Sequence, residues 1–166
     1  MFTGALAVSY YGRARTTVDV DVVVAVVGKG WRAKLVSGSK RAGLVVDEDR
    51  IDAALRSGYR VVTFEDGKSP FSVDVILSDV KLVKRAGSIL GLPTFYQTPE
   101  DLVSAKLRMI KATVPRERAL KDVDDVRAIL RFSEVDMEAV EDGARRNSTL
   151  SILEEIIGSS SKNHEN

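Results

Sequence analysis

Cysteine is absent from the 166 residues, and the one histidine, His164, falls in the polar terminal stretch SSSKNHEN. The first absence excludes disulfides, thiolate catalysis and cysteine-ligated zinc or iron–sulfur centres. The second leaves no histidine for a folded core, which disfavours Ser-His-Asp hydrolases, HExxH metalloproteases and histidine-ligated transition metals. No run reaches the roughly 18 apolar residues of a membrane span. Nor does Met1 open the basic-then-apolar pattern of a signal peptide, so the expected location is the cytoplasm, with no membrane partner. A net charge of +1 and a pI near 7.9 give no general pull on nucleic acid, so any polyanion site has to be a local cluster. Chemistry, if there is any, falls to carboxylates, lysines, arginines and hydroxyls. Clustered carboxylates favour hard cations such as Mg²⁺ or Mn²⁺.

What is present is ordinary for a globular chain: 44% hydrophobic and 30% charged residues over a length that suits one folding unit. Met1-Phe2 reads as the end of a strand and GALAVSYYG (4–12) as a short apolar helix closed by Gly12. The first strong strand spans 17–27, followed by helix-like stretches at 31–42 and 47–58, the latter with Asp47 as N-cap and Gly58 as stop. YRVVTFED (59–66) and FSVDVILS (71–78) alternate as a hairpin about Gly67–Pro70, a helical stretch follows near 79–86, and LPTFYQ (92–97) reads as a short edge strand. TPEDLVSAKLRMIKATV (98–114) opens with Thr98 as N-cap, Pro99 at the first helical position and Asp101 three residues after the cap. Further helices are expected at 116–132, 134–146 and 148–157, stopped by Gly158, with a disordered tail over 159–166. The fold class is therefore α/β in composition (α+β): a small mixed β-sheet core over 1–97, flanked by helices, and a C-terminal helical part over 98–158.

The informative stretch is RTTVDVDVVV (15–24). Strand alternation puts Arg15, Thr17, Asp19 and Asp21 on one face and Val18, Val20 and Val22 on the other, with the two aspartate Cα atoms about 6.5 Å apart. In FSVDVILS, Phe71, Val73, Val75 and Leu77 form the apolar face and Asp74 stands opposite. Aspartate is a poor strand former. Converging carboxylates repel one another and raise their own pKa values, a conflict a divalent cation resolves.

A glycine turn at Thr3-Gly4, a short helix ending in Tyr11-Gly12, and then Arg15, Thr17, Asp19 and Asp21 in R-x-T-x-D-x-D spacing resemble the nucleotidyltransferase superfamily, the polymerase-β-like fold. The likeness is to its stand-alone bacterial and archaeal members of the AbiEii and MenA toxin type. TPEDLVSAKLRMI is similar to the P-E-D-L-x-x-x-K segment of those proteins and ALKDVDDVRAIL to their R/K-D-x-x-D-[LV] segment, so the likeness covers most of residues 1–130. The resemblance implies that Asp19, Asp21 and Asp74 hold Mg²⁺ (or Mn²⁺), and that Thr3 and Gly4, together with Arg15, Thr17, Lys106 and Asp122, bind a nucleoside triphosphate. It implies transfer of a nucleoside monophosphate to an RNA, protein or small-molecule hydroxyl, in a toxin-type enzyme with an antitoxin-like protein partner. The first turn departs from the family's Gly-Gly or Gly-Ser. A catalytically silent member, acting as nucleotide sensor or toxin–antitoxin partner, is the rival this departure favours.

Independently of the resemblance, a helical wheel over 119–130 gathers Ala119, Val123, Val126, Ile129 and Leu130 on one face, with Asp122 inside that stripe and Asp124 pointing away. A carboxylate in a packing face needs a partner. A structural ion pair to Lys106 or an arginine therefore stands beside the nucleotide-binding reading of both residues. Lys84-Arg85 and Arg145-Arg146 are read as solvated charges that could otherwise touch nucleic-acid phosphates, the acidic run 47–50 as a solvated helix start, and Trp31 as core or partly buried rather than a base-stacking platform.

Overall fold

A computed structural model describes residues 1–161 and shows a mixed α/β protein of the α+β kind, with a four-stranded and a two-stranded sheet and seven α-helices. The chain divides into two compact units. Met1–Leu6 and Thr16–Tyr96 make the first; Ala7–Arg15 and the residues from Gln97 onward make the second. Helix α1 (Gly4–Tyr11) thus contributes its first turn to one unit and the rest to the other.

In the first unit, β1 (Asp19–Ala25), β2 (Leu44–Val45), β3 (Val61–Asp66) and β4 (Ser72–Ser78) form a sheet in the order β1-β4-β3-β2. β1 and β4 run parallel, and the other neighbours are antiparallel. Two parallel strands cannot be joined by a tight turn. α2 (Trp31–Arg41) and α3 (Glu48–Ser57) lie in the long excursion between β1 and β4. Ile51 and Ala54 of α3 are buried with Val62, Phe64, Val75 and Leu77 of the sheet, and Val22, Val24, Trp31 and Leu35 pack against them. Each fully buried large side chain of this kind contributes about 1.5–3 kcal/mol. With the apolar alternates turned to the helices, the intervening residues of β1, β3 and β4 line the opposite face of the sheet. The main chain of Met1–Thr3 runs along the outer edge of β1: Met1 and Val23 exchange hydrogen bonds of 2.9 and 2.8 Å, and the Thr3 N–H donates to the Asp21 carbonyl at 3.0 Å.

β5 (Lys84–Ile89) and β6 (Leu92–Gln97) form the second sheet. Leu90 and Gly91 between them have φ of 49° and 78°, the left-handed pair a two-residue hairpin requires. The helix expected near 79–86 is therefore incorrect: the turn after Ile89 folds this segment back on β6, and pairing overrides its local helical pattern. The expected strand 17–27 shortens to Asp19–Ala25, because the Thr17 hydroxyl bonds the main chain of Asp19 (3.0 and 3.3 Å) and turns the chain before pairing begins. Arg15 thereby lies outside the strand.

The second unit is helical. α4 (Pro99–Ala112) starts as expected, the Thr98 hydroxyl accepting from the Asp101 N–H at 3.3 Å. The helix expected at 116–132 is split into a 3₁₀ turn (Arg116–Ala119) and α5 (Leu120–Phe132). α6 (Met137–Arg146) is capped by Asp136, and α7 (Leu150–Ser161) runs through Gly158 rather than stopping there. Its last residues, 159–161, belong to the expected tail and are helical; 162–166, with His164, lie outside the described residues. The buried side chains include Leu102, Val103, Leu107, Ile110, Val126, Ile129, Val140 and Leu153, joined by Ala7, Val8 and Tyr11 of α1.

Candidate active site

The register of the sheet aligns the expected carboxylates. Asp21 stands opposite Asp74 across β1 and β4, and Thr63 of β3 stands on the other side of Asp74. One row along, Asp19 faces Ser72, which in turn faces Glu65. All six positions belong to the face turned away from α2 and α3, so three aspartates from two strands share one surface, and Glu65 adds a fourth carboxylate at its rim. Neighbouring strands are about 4.8 Å apart and alternate residues about 6.5 Å.

Each aspartate is held by a different neighbour. The Ser72 hydroxyl donates to Asp19 Oδ1 at 2.8 Å, and the Thr63 hydroxyl donates to Asp74 Oδ1 at 2.6 Å. The Asp21 carboxylate packs against Gly4, at the first turn of α1, where a Cβ would overlap it. Gly4 has φ of +54°, a conformation an L side chain resists, so backbone and space both demand glycine there. No three His, Cys, Asp or Glu side chains among the described residues stand close enough together to form a ready ligand set. Thr3 is buried and pairs through its main chain with Asp21. Thr17 spends its hydroxyl on the turn before β1.

The second unit gathers Arg15, Lys106 and Asp122 and adds Asp125, the second aspartate of the D-x-x-D spacing, to which the sequence reading gave no role. Lys106 Nζ lies 2.7 Å from Asp122 Oδ1 and 2.8 Å from Asp125 Oδ2, while Arg15 Nε lies 3.3 Å from Asp125 Oδ1. Asp125 is 3% exposed and bridges the two cations. Two positive and two negative charges cancel, so burial is tolerated because each charge has a counter-charge. Arg15 Nη1 is buried without a hydrogen-bond partner. The missed signal was positional: Asp125 follows Asp122 by three residues and precedes Ile129 by four, which places it on the buried stripe. The hydroxyls of Ser72 and Thr63 were not findable without the strand register.

The basic pairs divide. Arg145 is engaged by Glu141 and Asp142, both at 2.8 Å, whereas Lys84 lies 3.8 Å over the exposed ring of Phe95. Trp31 is half-buried against the sheet core, as expected. No helix among the described residues is long and apolar enough to cross a membrane. In comparisons with known proteins, no family model and no curated protein matches this chain.

Proposed function

We propose that this chain is a metal-dependent nucleotidyltransferase that moves a nucleoside monophosphate from a nucleoside triphosphate to an acceptor hydroxyl on RNA, a protein or a small molecule. The observation that carries this reading is the alignment of Asp19, Asp21 and Asp74 on one open face, contributed by adjacent parallel strands. Their oxygens are the hard donors that suit Mg²⁺ or Mn²⁺, and such a cation, when bound, sets positive charge against a triphosphate. The side chains do the rest. Asp74, its Oδ1 already oriented by the Thr63 hydroxyl, takes the proton of the acceptor hydroxyl. The acceptor oxygen then bonds to the α-phosphorus, the bond from that phosphorus to the bridging oxygen breaks, and pyrophosphate leaves with the electron pair. In the second unit, Arg15 and Lys106 carry the positive charge that suits a phosphate, and the carboxylates of Asp122 and Asp125 hold those two side chains in place.

A second reading, the silent nucleotide sensor or protein partner, has one specific support. Asp21 fills the space over Gly4 at the α1 N-terminus, where main-chain amides would otherwise favour a phosphate. The experiment that separates the readings follows label from α-³²P- and γ-³²P-nucleoside triphosphates into total RNA, protein extract and the chain itself, with Mg²⁺ or Mn²⁺ present. Transferase action puts α-label covalently on an acceptor and γ-label in pyrophosphate, with loss of transfer in Asp74→Asn. Nucleotide binding without transfer to any acceptor supports the sensor, and γ-label on an acceptor overturns both.

A further inference from the structure

The two outer edges of the four-stranded sheet differ. On β1 the edge is covered by the main chain of Met1–Thr3. On β3, β2 covers Glu65 and Asp66 alone, because Asp47 caps α3 and carries the chain away from the sheet. The Leu77 N–H donates to the Arg60 carbonyl at 2.8 Å and the Asp66 N–H to the Phe71 carbonyl at 2.9 Å. In an antiparallel pair this alternation turns the N–H and C=O of the even-numbered residues toward β4. Those of Val61 and Thr63 therefore point to the other side, where no strand pairs with them among the described residues.

Natural edges are usually guarded by lysine, proline or a bulge. Val61–Phe64 reads Val-Val-Thr-Phe and has none of these. Beside this edge lies a groove of about 280 Å³ lined by Arg50, Ala53 and Ser57 of α3, by Tyr59, and by Val61 and Thr63. That volume is below the roughly 300–1,000 Å³ of small-molecule sites. It suits one or two side chains of a strand laid along the edge. Tyr59 is 77% exposed at the rim. Arg50 is the one charged residue of the lining, and its single ion pair, to Asp47 at 3.6 Å, is exposed and weak.

We propose that this edge and groove bind an extended segment of a partner protein that carries an acidic residue and joins the sheet as an added strand prolonging β2. The N–H and C=O groups of Val61 and Thr63 supply main-chain hydrogen bonds, the groove takes an apolar side chain, and Arg50 meets the partner's carboxylate. Val61 and Thr63 are about 6.6 Å apart, so a segment of three or four residues satisfies both. This inference does not depend on the proposed transfer reaction.

The test uses a phage-displayed library of linear heptapeptides selected against the full chain, followed by synthesis of the selected sequences. The expected sequences alternate apolar residues and contain aspartate or glutamate. N-methylation of the peptide amide bonded to the edge should weaken binding about tenfold, as expected for one hydrogen bond, while methylation of the next amide should not. Arg50→Glu, checked for an unchanged melting temperature, should lose the acidic preference. Amide hydrogen exchange at Val61 and Thr63 should slow when the peptide is bound. Failure to select any peptide, or equal tolerance of methylation at every position, overturns the proposal. So does a homodimer that protects the same amides without peptide, since the occupant is then a second copy of this chain.

Discussion

The carboxylate of Asp21 rests on Gly4, at the one residue of the first turn of α1 where neither the backbone (φ +54°) nor the available space accepts a side chain. Gly4→Ala is expected to destabilise the protein by the left-handed strain of about 1–2 kcal/mol together with the displacement of the carboxylate. With Asp21→Ala in the background the overlap with the carboxylate is removed, and the cost of Gly4→Ala should fall, with the contact to the remaining Cβ of residue 21 at 2.9 Å added to the strain. Urea denaturation of the four proteins of this cycle measures the coupling. Additive effects would mean that Gly4 and Asp21 act independently.

Ligand linkage tests the aspartate face. Mg²⁺ or Mn²⁺ with a nucleoside triphosphate should raise the melting temperature, since a ligand that binds only the folded state stabilises it by mass action. Asp19→Asn with Asp21→Asn should abolish the shift, and EDTA should abolish it in the parent. Asp74→Asn should reduce covalent transfer more than it reduces the shift, because its proposed work lies with the acceptor. A parent shift that survives EDTA would sink the metal reading.

For the ion network, Lys106→Met leaves Asp122 and Asp125 without their shared cation, and breaking one side of a buried pair costs about 3–5 kcal/mol. Lys106→Met combined with Asp122→Leu should recover part of that loss, because the apolar pair leaves no stranded charge while Asp125 keeps Arg15 as its partner. Asp124→Asn, on the exposed side of α5, should stay within about 0.5 kcal/mol of the parent. Chemical denaturation gives the three values. If nucleotide affinity per folded molecule is unchanged in Lys106→Met, the network is structural and Lys106 leaves the site.

At the β3–β4 turn, the Ser69 hydroxyl, then the Lys68 N–H, hold the Asp66 carboxyl below its ordinary value of 3.8. A carboxyl depressed in the folded state contributes stability that is present above its unfolded pKa and lost as pH falls through the folded one. An NMR titration of Asp66 should therefore show a midpoint below 3.8 in the parent that moves up in Ser69→Ala. The Ser69→Ala protein should also lose less stability on acidification through that range. An unmoved midpoint would mean that the hydroxyl does not set it.

Much of the helical structure is legible in the chain because its signals are local. Thr98, Pro99 and Asp101 mark the start of α4 within four residues, and Asp47 and Gly58 bracket α3. The alternation of FSVDVILS separates Val75 and Leu77 from Asp74, and that separation survives in the sheet because burial of one face fixes it. Alternation also determines that Asp19 and Asp21 share a face. It cannot supply the strand order. That Asp21 meets Asp74, that Ser72 and Thr63 are the hydroxyls holding Asp19 and Asp74, and that Asp21 finds Gly4 are products of pairing between residues up to 53 positions apart. The same holds for Arg15, which local alternation assigns to the strand face and which instead lies against Asp125. Period and cap residues act within a few positions along the chain, whereas register, edge coverage and counter-charges are decided when distant segments pack. Within the strands and helices, local pattern settles which face a side chain takes, as for Asp19, Asp21 and Asp74; where an element ends, and which charges then meet, is settled by packing, as for Arg15.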